Sequence, residues 1–282
     1  MNNTRIHMKK LLFSLILLLG SVTACKAGPL NQASYTDQGA GLPLVLIHAF
    51  PADHHLWEPQ IKSLSKKFRV ITLDLKGFGT ASPTQGEAVS MREYAEEVKQ
   101  LLDQLKIDKA IIGGESMGGY VSLAFVKSYP EKTAGLILAD TQAIADTKDQ
   151  QAKRESTAQD ILNNGPTKFV ENFVPKAVSP NADQSTKDFL TNLFSKQSAN
   201  AMASALRGMA IRENTMDQLP NLNIPVLIIS GDLDAVIPTS ESVSMRNAYP
   251  ASQLVIIHGA GHLTNIERPA EWNEAVIAEF AK

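Results

Sequence analysis

The fold is decided by residues 110–120, AIIGGESMGGY, in which an apolar run meets a glycine-rich turn and then a helix-like segment. The run over residues 110–113 has the continuous hydrophobicity of a β-strand that is covered on both faces. The turn reads G-x-S-x-G around Ser116, and residues 120–129 follow it as a predicted helix. Such a turn holds its serine in a strained conformation, and Gly114 and Gly118 leave room where side chains would collide.

Further apolar runs predict more strands of the same kind, at residues 44–48, 69–74, 135–139, 226–230 and 253–257. Helix-like segments lie between them. One of these covers residues 94–105, with apolar side chains three and four positions apart at Val98, Leu101, Leu102 and Leu105. The alternation of strand and helix predicts an α/β fold with a mostly parallel sheet and helices on both faces.

The alternation stops between residues 142 and 222, where the composition becomes more polar and no strong strand is found. This segment is predicted to be an inserted helical cap on a core made of residues 44–141 and 223–282. We expect Asp188 to cap a first helix, whose apolar face has Phe189, Leu190, Leu193 and Phe194. A second helix is indicated by Met202, Leu206 and Met209. Both apolar faces are interpreted as packing surfaces, because burial in a core is the commoner fate of such side chains.

A serine hydroxyl needs a base to take its proton and an acid to orient that base. Residues 231–234, GDLD, follow one predicted strand, and residues 258–262, HGAGH, follow the last one. Both segments therefore lie at the carboxyl ends of strands, where open parallel sheets place their sites. The candidates for the base are His262 and His258. Those for the acid are Asp234 and Asp232, with Asp140 as a third because it also follows a strand.

Several motifs resemble those of the α/β-hydrolase superfamily. The nucleophile turn around Ser116 comes first, followed by a G-D-x-D-x-x-x-P loop that ends at Pro238 and by a G-x-G-H motif at His262. The order of serine, acid and histidine along the chain is also that of the superfamily. The resemblance implies that Asp234 is the catalytic acid and His262 the base, while Asp232 braces the turn and His258 is structural.

Two loops near the amino end carry the same resemblance with one departure each. Residues 48–51, HAFP, are similar to H-G-F-P, with Ala49 in place of glycine, and residues 73–79 are similar to a loop containing D-x-R-G-x-G, with Lys76 in place of arginine. The resemblance implies a structural role for the second loop and for His48. It also implies that the backbone N–H groups of Phe50 and Met117 form an oxyanion hole.

The combination of HAFP with residues 57–60, WEPQ, and residues 138–141, LADT, is most similar to small capped esterases and enol-lactonases. This resemblance implies hydrolysis of a small carboxylic ester or lactone through an acyl-enzyme, without a metal or an organic cofactor. The same residues also suit C–C hydrolysis, peroxy-acid or aminopeptidase chemistry, and a non-catalytic ligand-binding protein is a further alternative. His54 and His55 are expected to be surface or packing residues, because no Asp/His cluster of zinc spacing accompanies them.

The first residues indicate export. Residues 1–24 are predicted to be a signal peptide, because Arg5, Lys9 and Lys10 precede a short apolar run. Residues 22–25, VTAC, resemble the lipobox of bacterial lipoproteins, which implies that Cys25 is lipidated and that residues 25–43 attach the domain to a membrane of the cell envelope. Ordinary secretion, giving a soluble periplasmic or extracellular protein, is the alternative. Nucleic acid is not expected as a partner, because 27 basic residues face 29 acidic ones.

Overall fold

The computed structural model describes residues 34–281. Within them lie seven strands, β1 to β7, at Tyr35–Gly39, Pro43–Ile47, Arg69–Leu73, Ala110–Glu115, Thr133–Ala139, Val226–Gly231 and Gln253–Ile257. Helices α1 to α10 lie at Glu58–Leu64, Met91–Gln104, Met117–Ser128, Lys148–Asn164, Thr167–Ala177, Gln184–Ser195, Ala199–Ala210, Thr239–Ala248, Thr264–Glu267 and Pro269–Phe280. The predicted signal peptide and Cys25 lie outside the described residues. No helix in the described part is both long and apolar enough to cross a membrane.

The strands form one sheet in the order β1-β3-β2-β4-β5-β6-β7. Strands β2 to β7 run parallel to their neighbours, and β1 pairs antiparallel with β3 at one edge. The predicted α/β fold with a mostly parallel sheet is therefore confirmed. Because all the parallel strands run the same way, the loops after β4, β6 and β7 lie together at the carboxyl ends of the strands.

The apolar runs are continuous because the parallel strands are buried on both faces. Along β2, Val45 and Ile47 belong to a buried cluster with side chains of α2 and α3, whereas Leu44 and Leu46 belong to a second cluster on the opposite face. That second cluster contains Trp57 beside α1 and Trp272 of α10, whose ring centroids lie 5.3 Å apart. The two-sided burial makes the sheet a rigid base for the loops at its edge.

Strand β1 was not expected, since it lies in the polar segment 25–43. Its sequence, YTDQG, has no apolar run because three of its five residues are exposed at the edge of the sheet. Pairing with β3 holds it in place. The Thr36 and Thr72 hydroxyls lie 2.8 Å apart, and Arg69 donates to Asp37 through Nε and Nη2. Cross-strand contacts of this kind give no periodic signal in the sequence.

Helices α4 to α7 lie between β5 and β6 in the chain. The helix over Gln184–Ser195 is capped by Asp183, which accepts a hydrogen bond of 2.7 Å from the Thr186 N–H. The prediction of Asp188 as its cap was wrong. Asp188 lies inside the helix and accepts a hydrogen bond from the Gln184 side chain. Asp183 takes the position because its extended backbone points the carboxylate at the first turn.

Candidate active site

Ser116 occupies the sharp turn between β4 and α3, with φ 52° and ψ −110°. This left-handed backbone is strained for a residue with a side chain. The flanking glycines are required by close packing. A Cβ atom on Gly114 would lie 2.0 Å from the Gly118 carbonyl carbon, and one on Gly118 would lie 2.1 Å from the Ile47 carbonyl oxygen. The G-x-S-x-G pattern thus follows from backbone contacts that admit no methyl group.

Three side chains from three separate loops meet at this turn. The Ser116 Oγ atom lies 2.8 Å from His262 Nε2, and His262 Nδ1 lies 2.8 Å from Asp234 Oδ2. Because the Asp234 carboxylate only accepts, we assign the Nδ1 proton to the bond with Asp234, which leaves Nε2 free to accept from the serine hydroxyl. The other carboxylate oxygen of Asp234 accepts from the N–H groups of Val236 and Ile237, at 2.7 and 2.9 Å. Both oxygens of the acid are therefore held.

The charge state of His262 depends on two opposing influences. Complete burial lowers the pKa of His262, but the charge of Asp234 and its hydrogen bond outweigh burial, so the pKa lies above its ordinary value. Because Asp234 stabilises the protonated imidazolium, His262 accepts a proton readily when the serine gives one up. Asp140 contributes a weaker effect of the same sign.

The alternative acid and base pair with each other. His258 Nδ1 lies 2.9 Å from Asp232 Oδ2, and Asp232 Oδ1 accepts a hydrogen bond of 2.7 Å from the Gly259 N–H. The His258 side chain is 85% exposed, whereas that of His262 is 2% exposed. The structure thus brings His262 and Asp234 to Ser116 and leaves Asp232 and His258 as a bracing pair at the surface.

Asp140, the third candidate for the acid, is buried and does not contact His262 through a hydrogen bond, because its oxygens bind other groups. Its oxygens accept from the Gly231 N–H at 2.8 Å and from the N–H and hydroxyl of Thr264 at 3.1 and 2.6 Å. Asp140 therefore ties the end of β6 to the segment that carries His262. Beside it lies Glu115, a fully buried side chain that sequence reasoning did not single out.

No N–H group of the described residues donates to the carboxyl oxygens of Glu115, and the neighbouring Asp140 carboxylate can accept from Glu115 only when Glu115 is protonated. Burial raises the pKa of Glu115 well above its usual range, and the nearby charge of Asp140 raises it further. Burial also raises the pKa of Asp140, to about 6. An ionised carboxylate without donors is costly in this environment, so burial favours the neutral form of Glu115.

Of the expected oxyanion residues, Met117 directly follows Ser116 and Phe50 lies in the loop after β2. Phe50 lines the same cavity as Ser116 and His262. Met117 is the first residue of α3, whose first N–H groups have no partner within the helix. Ala49 is fully buried and its φ is not positive, so its methyl group is accommodated in place of the usual glycine. His48 is held by its neighbours, since Nε2 accepts from the Leu75 N–H at 3.1 Å and Nδ1 lies 2.9 Å from the Ala49 oxygen.

A cavity of about 440 Å³ opens above Ser116. Its apolar wall includes Phe50, Phe169, Phe173, Leu206 and Met209, with Val236 and Ile237 from the loop after β6. Leu206 and Met209, predicted from the sequence as packing residues, are buried in the core and also line the cavity. The cavity also has charged residues that sequence reasoning missed, namely Asp146, Lys153, Arg154 and Glu241. No local sequence motif predicts these residues, because they come from segments that are distant in the chain and meet only in the folded structure.

His54 and His55 are held by carboxylates rather than free at the surface. His54 Nδ1 lies 2.6 Å from Asp74 Oδ1, and His55 Nδ1 lies 2.9 Å from Asp53 Oδ1. Burial lowers the pKa of His54, but its hydrogen bond to Asp74 outweighs burial and raises it. One ligand atom each of Asp53, His54 and His55 lies within 4.8 Å of the others. Adjacent residues of one turn therefore bring a carboxylate close to both histidines, which the sequence spacing did not suggest, while His54 is mostly buried and His55 lies at the surface, with side chains 11% and 51% exposed.

Comparison with known proteins agrees with this geometry. Residues 43–218 match the family described as alpha/beta hydrolase fold, and residues 184–269 match the one described as serine hydrolase (FSH1). The first match covers more than half of the chain, so the chain belongs to the alpha/beta hydrolase family. It is an enzyme of the hydrolase class.

Esterases and lactonases are among the individual relatives. The chain is 27% identical over 242 residues to 3-oxoadipate enol-lactonase 1 of Acinetobacter baylyi, covering 85% of this chain and 88% of that one. It is 27% identical over 226 residues to a pimeloyl-[acyl-carrier protein] methyl ester esterase of Legionella pneumophila, covering 80% and 89%. The solved structure of a thermophilic esterase from Thermogutta terrifontis, with malate bound, is 33% identical, with a TM-score of 0.84 and coverage of 87% and 91%.

Proposed function

We propose that the protein hydrolyses a small carboxylic ester or lactone through an acyl-enzyme on Ser116. The observation that carries this proposal is the pair of 2.8 Å contacts that join Ser116 to His262 and His262 to Asp234. The names of the relatives, an enol-lactonase and esterases, support the same bond type. The cavity volume of about 440 Å³ is in the range for small-molecule sites.

In the first half of the reaction, Ser116 Oγ forms a bond to the carbonyl carbon as its proton passes to His262 Nε2. Asp234 holds and stabilises the imidazolium. The negative charge on the carbonyl oxygen is stabilised by the N–H groups of Phe50 and Met117, and each such donor is worth about 3 kcal/mol in comparable enzymes. When the carbonyl re-forms, the bond to the leaving alcohol breaks and the alcohol takes the proton from His262.

In the second half, a water molecule gives a proton to His262 Nε2 and attacks the acyl carbon. The bond between that carbon and Ser116 Oγ then breaks, the serine oxygen recovers the proton, and a carboxylic acid leaves. With a lactone, the alcohol and acid remain in one product. Both halves require neutral His262 at the start, so the rate rises as pH increases through its pKa.

We further propose that residues 142–222 act as a cap that shapes the substrate cavity. Helix α5 contributes Phe169 and Phe173, and α7 contributes Leu206 and Met209. These side chains face Phe50 on the core side, and the rings of Phe50 and Phe169 have centroids 5.7 Å apart. An apolar wall of this kind suits a short acyl chain.

The location proposed for the enzyme rests on the sequence alone. We propose that residues 1–24 direct export and that Cys25 is lipidated, which attaches the protein to a membrane of the cell envelope. Several acyl chains on one residue give stable attachment, whereas a single chain does not. Because this segment lies outside the described residues, the proposal depends on the VTAC motif.

The test of function uses purified protein with p-nitrophenyl esters of graded acyl length and a small lactone. We expect a burst of p-nitrophenol equal to the enzyme concentration whenever deacylation is slower than acylation. Ser116→Ala should abolish both the burst and turnover. Ser128→Ala, a serine at the other end of α3, is the matched control and should retain wild-type rates. Turnover that persists in folded Ser116→Ala would refute the proposal.

A further inference from the structure

On the cap side of the cavity, positively charged residues outnumber negatively charged ones, with Lys153 and Arg154 against Asp146. Asp146 is buried, with a side chain 1% exposed, and it binds two arginines. Arg212 Nη1 donates to Asp146 Oδ1 at 2.6 Å, while Arg154 donates through Nε to Oδ2 and through Nη2 to Oδ1. Two guanidinium groups thus share one carboxylate, which leaves a formal surplus of one positive charge, and the Arg212 guanidinium also lies over the Tyr120 ring at 4.3 Å from its centroid.

The surplus positive charge lies in the cavity that a substrate would occupy. Arg154 lines the same cavity as Ser116 and His262, and so does Lys153, whose ammonium group has no carboxylate partner among the described residues. Glu241 is the other carboxylate in the cavity wall, but it comes from α8 rather than from the cap and forms no ion pair with Arg154 in the described part. Lys153 is exposed, so water solvates its charge, whereas the Arg154 side chain is 22% exposed and shares its carboxylate with a second arginine, which leaves it able to bind a further anion.

The arginines also have unused hydrogen-bonding capacity. The remaining amino group of Arg154, Nη1, donates to the Met209 sulfur at 3.5 Å. A thioether is a weak acceptor, and Met209 itself lines the cavity. The Nη2 group of Arg212 is also buried without a hydrogen-bond partner among the described residues, but Arg212 does not line this cavity, so Arg154 is the arginine that a substrate would meet. A guanidinium group binds carboxylates well because its N–H groups form a planar fork.

We propose that Arg154 Nη1 binds a carboxylate of the substrate, so that the enzyme prefers monoesters or lactones that carry a free carboxylate over neutral ones. The inference rests on the proposed function and specifies its substrate class. Arg154 would act as a specificity residue, since the reacting groups are Ser116 and His262. Phe169 and Leu206 in the same cavity would contact the methylene chain between carboxylate and ester.

The experiment compares two esters of equal length. Monomethyl adipate ends in a carboxylate, and methyl hexanoate ends in a methyl group at the same position. A hydrogen bond to a charged group is worth enough to change kcat/KM by about ten- to a hundredfold. We expect wild-type protein to favour the monoester of the dicarboxylic acid by such a factor at one chain length. Monomethyl esters of C4 to C8 diacids, each with its neutral counterpart, identify the length that fits.

Variants identify the residue responsible. Arg154→Met and Arg154→Gln should bring the ratio of anionic to neutral kcat/KM close to one. Arg207→Met is the matched control. Arg207 is another cap arginine that pairs with a carboxylate, Glu155, but it does not line the cavity, so its loss should leave the ratio unchanged.

The outcomes separate this inference from the proposed function. Hydrolysis of both esters at equal kcat/KM at every length would overturn the inference and leave the esterase function intact. A preference that persists in both Arg154 variants would overturn the role of Arg154. Failure of the wild-type protein to hydrolyse any ester would refute the proposed function together with the substrate class that rests on it.

Discussion

Replacing Asp234 with asparagine tests how the acid acts, because its two oxygens have different partners. Oδ1 accepts from the N–H groups of Val236 and Ile237, and Oδ2 faces His262 Nδ1. An asparagine keeps the two backbone bonds only if its oxygen takes the Oδ1 position. Its NH₂ group then faces Nδ1 and donates to it. The imidazole proton is forced onto Nε2, which no longer accepts from Ser116.

The expected loss is large. The corresponding change in serine proteases lowers kcat by about 10⁴-fold, through the wrong tautomer and the loss of a stabilising charge. Both partners are buried here, with side chains 0% and 2% exposed, so water does not replace the lost interaction. We therefore expect kcat to fall by about 10³- to 10⁴-fold, or roughly 4 to 5.5 kcal/mol of transition-state stabilisation.

Asp232→Asn is the control two residues away. Asp232 is 33% exposed and its partner His258 is 85% exposed, and exposed ion pairs contribute little. We expect kcat of this variant to stay within about threefold of wild type. The assay is hydrolysis of a short p-nitrophenyl ester, with circular dichroism to confirm folding. If Asp234→Asn keeps wild-type activity and Asp232→Asn loses it, the assignment of the acid is wrong.

The same variant has a signature in the pH profile. Asp234 raises the pKa of His262 against the lowering effect of burial. With the charge removed, burial dominates and the pKa falls. Because activity requires neutral His262, the acid limb of residual kcat/KM should move to lower pH than in wild type. A limb that moves to higher pH would contradict this account of the His262 environment.

Three further predictions concern other parts of the molecule. Gly118→Ala should lower stability by about 1 to 3 kcal/mol and impair hydrolysis, because its methyl group would meet the β2 backbone 2.1 Å away; an unchanged melting temperature would contradict this. Glu115→Gln removes a group whose pKa is raised by folding, so wild-type stability should fall relative to the variant as pH rises above about 4.5 towards the raised pKa. Melting temperatures measured from pH 5 to 9 test this, and a constant difference would show that Glu115 is already ionised. Cys25→Ser should prevent lipid attachment and shift the protein from the membrane fraction to the soluble one; unchanged processing and membrane attachment would refute lipidation.

The sheet was predictable where strands are buried on both faces, because each central strand appears as an apolar run. Strand β1 was not, since its stability comes from cross-strand contacts such as the bidentate ion pair of Arg69 with Asp37. The helix at Gln184–Ser195 was anticipated from its apolar face, but its start was misplaced. Asp183 is the cap because its extended backbone precedes the first turn, and that backbone conformation is visible only in the structure.

The site divides in a similar way. Ser116 was identifiable because the strained turn restricts its neighbours to glycine, a local constraint. Asp234 and Asp232 follow the same strand two residues apart, so their distinction depends on which histidine each one meets in three dimensions. Arg154 and Asp146 were missed, because their importance arises from a shared position in the cavity wall. A charge imbalance of this kind has no counterpart in the order of residues along the chain.

The most direct test of the central claim is covalent labelling of Ser116. Folded protein is treated with a fluorophosphonate, which forms a bond to an activated serine oxygen, and peptide mass spectrometry locates the adduct. We expect one adduct per chain, on Ser116, with none in Ser116→Ala and much slower labelling in His262→Ala. Absence of labelling in folded wild-type protein, or labelling that persists in Ser116→Ala, would contradict the claim that this serine is the nucleophile.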